Sequence, residues 1–396
     1  MPAVRNVLVV GGGAAGAAAA IRLAEGGVAV DLVDLKPDVA ALGSGITLQG
    51  NALRVLRELG VWERVRAQGA AFDTLGLRAP DPAGTLLAEL TDLRTGGPDL
   101  PATLGMYRPA LARILIERAT EAGVRVRFGT GPTSLVQDGE TVAVTFGDGS
   151  LFRYDLVIGA DGIRSWTRAA IGITLEPQPV GMGIWRAFTS RPASVTRTDL
   201  YYGGPCHIAG YCPTGPDTLY AYLVEDVQDR SGLSPEQALA TMRDLSGAYH
   251  GPWDDIREVL TDPRRVNYTA FESHVLDGPW HRGRVVLIGD AAHSCPPTLA
   301  QGAAQAFEDA SVLTELLLRD GKATGGKATG GKAAGGKAAG GEVTDELWLE
   351  FTARRLPRAR EVVEASLQLT RWLLARERGD VPGLMARIAH LVADPA

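Results

Sequence analysis

Cysteine is scarce: the 396 residues hold three, Cys206, Cys212 and Cys295. That is too few for a disulfide framework in a chain this long, and it suits a reducing, cytoplasmic setting. No apolar run reaches the ~18 residues of a spanning helix, so no integral membrane segment is expected. The six histidines show no metal-ligand spacing. There is no HExxH and no paired CxxC, so no metal site is expected. A GxSxG nucleophile elbow is also missing. Positive charge is not in excess. Lys plus Arg total 40 against 46 Asp plus Glu, for a net charge of -6, which disfavours nucleic acid as a partner. Lysine itself is nearly absent. Four of the five lysines lie in residues 321–340, which read GKATG, GKATG, GKAAG, GKAAG, against thirty-five arginines elsewhere. This stretch is foreign to its host in composition. Its glycine density disfavours helix and packed core, so 321–341 is expected to be a flexible Gly/Lys/Ala loop.

What is present is enough for a large core: 45% of residues are apolar and 22% charged. The length suggests roughly two to three domains at ~150 residues each. Val7–Val10 is a short apolar run, the pattern of a strand buried on both faces. Gly11, Gly13 and Gly16 follow, then a helix over Ala17–Glu25 and a strand over Val28–Asp34. The glycines interrupt what would otherwise resemble a secretory signal. In a strand–turn–helix setting, Gly11 permits the tight turn and Gly13 lets backbone N–H groups approach a pyrophosphate. Gly16 lets the helix pack close to the strand. Asp34 ends the second strand, where an acid can hold ribose hydroxyls. The unit predicts a dinucleotide site, with no choice yet between NAD and FAD.

Further helices are expected at Ala52–Leu59, Arg108–Ala122 and Gly302–Leu318. Strands are expected at Val124–Phe128 and Arg284–Ile288, with a hairpin over Thr141–Ile158 turning at Phe146–Ser150. Residues 181–273 concentrate aromatic residues and alternate like antiparallel strands, as in Thr218–Val224. The reading is an α/β protein: a discontinuous Rossmann-like domain (1–72, 101–180, 276–320) interrupted by a sheet-rich substrate domain (73–100, 181–275). C-terminal helices follow over 342–396, with Pro357 marking a break or kink.

Two further motifs decide between the nucleotides. Asp155–Ser165 is a strand running into an Asp161-Gly162 turn, and Gly283–His293 is a strand ending in Gly289-Asp290. With the glycine loop, the chain resembles the class A flavoprotein monooxygenases, FAD-dependent hydroxylases of salicylate, hydroxybenzoates and hydroxynicotinate. The resemblance covers nearly everything except the repeat. It implies non-covalent FAD, reduction by NADH or NADPH, and O2 adding at flavin C4a to give a hydroperoxide that hydroxylates an aromatic or heteroaromatic ring. It assigns Gly11, Gly13, Ala15, Gly16 and Asp34 to the ADP half of FAD. Arg108 is assigned to the flavin cofactor, Asp161 and Gly162 to FAD and NAD(P)H, and Gly289 with Asp290 to the ribityl chain. Pro297, Ala300, Gly302 and Ala303 are placed beside the ring. Gly43–Asn51 resembles the loop over the ring, with Gly50 where the family commonly has proline.

The substrate side is less determined. His207 and Tyr211, four apart on an expected strand, share a face and resemble a segment supplying pocket residues in the family. His207 is a candidate base for a phenolic proton, or a histidine bonded within the sheet. Trp185, Arg186, Tyr222 and Phe271 are candidate pocket walls. Arg164 and Arg168 are surface charges or pyridine-nucleotide contacts, and His293 is structural or an acid–base group. Expected partners are a small aromatic substrate and, at most, a second copy of the chain. Alternatives are a flavin-dependent epoxidase, a natural-product or antibiotic hydroxylase, or a flavin-loaded binding protein without turnover.

Overall fold

The computed structural model describes residues 2–39, 44–319 and 343–396. The expected repeat loop at 321–341, and Gly43 of the loop over the ring, lie outside the described residues.

The first sheet has six strands, in the order His281–Arg282, Val285–Leu287, Leu156–Gly159, Asn6–Val10, Ala29–Asp34 and Arg125–Phe128. All neighbours pair in parallel except the short His281–Arg282 edge. In chain order the parallel strands run 3-2-1-4-5, the doubly wound arrangement. Its switch point lies between Asn6–Val10 and Leu156–Gly159, where such sheets bind ligands. The strands are Val/Leu/Ile runs because helices and a small sheet cover both faces. The Ala14–Glu25 helix lies on the first strand, with Ala17 to Ala20 fully buried. Small side chains let it approach both the sheet and the Gly302–Leu318 helix.

The expected hairpin over Thr141–Ile158 is corrected. Val142–Phe146 pairs antiparallel with Leu151–Tyr154, but Leu156–Gly159 leaves for the parallel sheet. Asp155 is the crossing point. Its carboxylate accepts the N–H groups of Arg5 at 2.7 Å and Asn6 at 3.1 Å, tying the turn to the first strand.

The second large sheet has eight strands. Their order is His293–Ser294, Val266–Val275, Gln178–Ser190, Thr218–Asp226, Ile208–Pro213, Thr198–Tyr202, Thr74–Arg78 and Leu86–Thr91. One face packs on the Pro235–Ser246 and Pro252–Val259 helices through Trp185, Tyr201, Tyr211, Tyr249 and Trp253. The other face looks back toward the parallel sheet, and the space between them is the site.

The C-terminal segment corrects a second expectation in part: there is no break at Pro357. Asp345–Ala375 is one helix running through Pro357. Proline costs that helix a hydrogen bond, but Arg355 and Arg358, on either side of it, anchor the turn in buried ion pairs with Glu308 at 2.9 and 2.8 Å. Tertiary contact overrides the local preference.

Candidate active site

One cavity of about 660 Å³ runs from the glycine loop to the eight-stranded sheet. This volume lies within the usual range for small-molecule and cofactor sites. Gly13, Ala15, Asp34, Arg108, Gly162, Asp290, Pro297, Ala300, Gly302 and Ala303 all line it.

The remaining glycines of the motif work from behind. A Cβ on Gly11 would lie 2.3 Å from the Ala160 carbonyl oxygen, and one on Gly16 would lie 1.9 Å from the Gly11 carbonyl oxygen. These contacts hold the loop at the switch point, where backbone meets backbone and only glycine fits. A Cβ on Gly13 would meet nothing within 4 Å, so this residue leaves the approach to the helix open. Asp34 accepts the Gly12 N–H at 2.8 Å and the Lys36 N–H at 2.9 Å. It closes the loop and still reaches the cavity.

Two helix N-termini open into this space. The Ala14–Glu25 helix begins at Gly13 and the Gly302–Leu318 helix at Gln301, and neither has a side-chain cap or an acidic residue in its first turn. Uncapped N–H groups and the helix dipole favour anionic ligand groups at both places. Ala300, in the left-handed conformation at φ 52°, turns the chain into the second helix. Arg108 is exposed into the cavity and makes no ion pair among the described residues. Asp290 also faces the cavity, and the protein around it pushes its carboxyl above the usual carboxylate range, against the pull of His293 and Arg108.

This set fits FAD. It offers uncapped N–H groups for a pyrophosphate, an acid at the end of the second strand, a cation with no ion pair among the described residues, and a carboxylate able to accept hydrogen bonds from hydroxyls. A second uncapped helix start completes it.

Asp161 and Gly289 act one step back. The Asp161 carboxylate accepts the Ser165 hydroxyl and the Thr167 N–H at 2.8 Å, so it fixes the Trp166–Ala170 helix. Its neighbour Gly162, at φ +83°, reaches the cavity. Gly289 donates its N–H to Asp309 at 2.7 Å. That carboxylate also bonds His293 Nε2 at 2.7 Å, making His293 part of a buried brace. Arg168 is buried and donates to the carbonyls of Ile163 and Ala291 at 2.8 and 3.0 Å, bracing both turns. Arg164 is a surface partner of Glu272 at 2.9 Å.

Gly50 has a local reason. A Cβ there would lie 2.5 Å from the Gly96 nitrogen, and one on Gly96 would lie 2.3 Å from the Gly50 carbonyl oxygen. The 73–100 segment passes backbone to backbone over this loop, which leaves no room for a proline ring.

The substrate-side expectations divide by strand parity. Ile184, Arg186, Leu200, Tyr202, Ile208, Tyr220, Tyr222, Val224 and Phe271 face the cavity. Trp185 does not. It is fully buried on the helix-covered face, with its Nε1–H donated to Glu225 at 2.9 Å. Tyr211 is 1% exposed on that same face and donates to Asp199 at 2.7 Å. His207 lies just before the Ile208–Pro213 strand and, like Tyr211, is not among the residues that line the cavity. Its Nε2 bonds Asp226 at 3.0 Å. Neither residue lines the cavity, and each side chain is bonded elsewhere. His207→Ala is expected to cost about 0.5–1.5 kcal/mol of stability for one hydrogen bond and to leave FAD content unchanged. Urea unfolding and flavin absorbance check both; loss of flavin would contradict the placement.

The sequence reading missed Tyr202, Tyr220 and Met385, which also line the cavity. One signal was available. A Cβ on Gly45 would lie 2.4 Å from the Tyr220 Cβ, so a strand glycine marks where that side chain packs.

Comparison with known proteins agrees with this architecture. Residues 5–329 match the FAD binding domain family. The 3-amino-4-hydroxybenzoate 2-monooxygenase of Streptomyces cremeus is 31% identical over 79% of this chain and 78% of its own. The aurachin C monooxygenase/isomerase of Stigmatella aurantiaca is 29% identical over 79% of this chain and 80% of its own. HpxO of Klebsiella pneumoniae, solved with FAD and uric acid, shares the fold. It aligns at a TM-score of 0.78 over 98% of this chain and 92% of its own, at 20% identity. The chain belongs to the FAD binding domain family and is an FAD-dependent monooxygenase.

Proposed function

We propose that the protein hydroxylates an aromatic or heteroaromatic small molecule, using NAD(P)H as reductant and O2 as the oxygen source. The observation that carries this reading is the cavity itself. Two uncapped helix N-termini, Arg108 and Asp290 share it with an apolar wall of Ile184, Leu200, Ile208, Tyr222, Val224 and Phe271. Bound FAD supplies the redox chemistry, with electrons from NAD(P)H and one oxygen atom delivered to the ring.

The chain's own groups bind, orient and exclude water. N–H groups of the Gly12–Ala15 turn hold phosphate oxygens, and Asp34 keeps that turn closed. Asp290 would accept hydrogen bonds from hydroxyls of the cofactor's chain. The first turn of the Gly302–Leu318 helix would support negative charge on the bound cofactor without reorganising. The apolar wall keeps water from the reacting centre and positions a flat ring. Arg186, the cation of that wall, donates to the Thr269 hydroxyl and is available to an anionic substituent.

Acid precipitation of the purified protein is expected to release FAD into the supernatant. NADH or NADPH oxidation is then expected to rise on adding a coupled aromatic compound. FMN in the supernatant, flavin retained in the pellet, or no aromatic stimulation across a broad panel would contradict the reading.

A further inference from the structure

Asp92 lies where the edge of the eight-stranded sheet meets the short sheet formed by Gly45–Gln49, Ala70–Phe72 and Thr103–Tyr107. Its backbone N–H is donated to Asp73 at 2.9 Å, which fixes it just past the end of Leu86–Thr91. Its side chain lines the cavity beside Phe72, Leu75, Thr103 and Thr198. The carboxylate has no hydrogen-bond or ion-pair partner among the described residues. The other acids nearby are satisfied: Asp73 by Arg94 at 2.7 Å and the Ala102 N–H at 2.8 Å, and Asp199 by Arg78 at 2.5 Å. Arg186 stands on a strand four places away from Leu75, about 19 Å across the sheet at ~4.8 Å per strand. It does not neutralise Asp92.

A half-buried carboxylate facing an apolar cavity with nothing to accept from is costly unless a ligand completes it. Resting on the hydroxylase reading above, we propose that Asp92 is a specificity-determining residue that accepts a hydrogen bond from a hydroxyl, amine or ring N–H on the aromatic substrate. The substrate class is thereby narrowed to rings bearing a donor, with an apolar body along the sheet. The neighbouring Thr103 and Thr198 offer hydroxyls to the same end of the ligand. Burial, with Asp73 beside it, raises the Asp92 carboxyl to about 6. Preference for donors is therefore expected above that pH and is expected to fade below it, as the group takes up its own proton.

The test uses the FAD-loaded protein without reductant, so it reads binding and not turnover. Phenol and aniline are compared with toluene by titrating the perturbation of flavin absorbance, in the parent and in Asp92→Asn and Asp92→Leu. The expected result is a donor preference in the parent at pH 7.5. It should shrink about tenfold or more in Asp92→Leu, in line with a charge-assisted hydrogen bond, and partly in Asp92→Asn, while toluene is unchanged. Equal preference in parent and variants overturns the proposal, as does a parent with no donor preference, including one that none of the three probes perturbs. The hydroxylase reading fails on a different observation, the absence of aromatic-stimulated NAD(P)H oxidation, so the two failures are distinguishable.

Discussion

Replacing Arg355 with Met is expected to destabilise the protein by about 3–5 kcal/mol, the usual cost of removing one partner from a buried ion pair. Arg355 is fully buried. It donates to Asp309 at 2.7 Å, Glu308 at 2.9 Å and the Gln305 side chain at 2.8 Å. Both carboxylates are themselves buried, at 0% and 2% exposure. Without the guanidinium, Asp309 keeps only its bonds to Gly289 and His293 among those named, and Glu308 keeps Arg358 and Asn51. Because Asp309 holds Gly289, the Asp290 turn should loosen and FAD affinity should fall as well.

The pH dependence has a definite sign. His293 and Arg355 hold the Asp309 carboxyl below its ordinary range, and Arg355 with Arg358 does the same for Glu308, in both cases against the effect of burial. Groups whose folded pKa is depressed stabilise the fold above their unfolded pKa of roughly 4. That stabilisation is lost as pH falls through the folded value. The gap between parent and Arg355→Met should therefore be full at pH 7 and narrow below about pH 4. Urea unfolding across that range checks it. A gap under about 1 kcal/mol at pH 7 would place the cluster among weak surface-type pairs.

Asp290→Ala is expected to lower FAD affinity by about 10- to 150-fold, the equivalent of a charge-assisted hydrogen bond of roughly 1.5–3 kcal/mol. The carboxylate faces the cavity, its pKa is raised by the surrounding protein, and it makes no side-chain bond among the described residues. It gains a partner only when a ligand brings one. Asp290→Asn should fall between parent and Ala, since the amide oxygen still accepts. Reconstituting apoprotein while following the quenching of FAD fluorescence measures all three. Unchanged affinity in Asp290→Ala would assign the residue to the turn and not to the cofactor.

The cofactor half was legible because its chemistry is local. Gly11, Gly13, Gly16 and Asp34 sit within one strand–turn–helix unit, and of the three glycines only Gly11 meets a distant segment, the Ala160 carbonyl. The Gly302–Leu318 helix was read with its observed limits because Gly302 and an apolar run mark it. The substrate half was not legible, because the eight-stranded sheet is apolar on both faces. Alternation gives Trp185 and Arg186 opposite faces, although both read as pocket walls from the sequence. It did not show which face the Pro235–Ser246 and Pro252–Val259 helices would cover. The choice of face is a tertiary fact, and every candidate on that sheet turned on it. Asp92 was invisible for a similar reason: an acid after a short exposed strand reads as surface until the short sheet folds against it. Pro357 shows the converse: its local signal for a helix break is overruled where Arg355 and Arg358 anchor the turn.

Oxygen transfer to an aromatic ring is the most direct consequence of this site. The measurement is product mass after turnover of a coupled aromatic compound with NAD(P)H under 18O2. The expected result is one added oxygen atom, carrying the 18O label, in a product formed only when FAD is bound. Reductant consumed with hydrogen peroxide as the sole product for every compound that binds, or an added oxygen that carries no label, would contradict it.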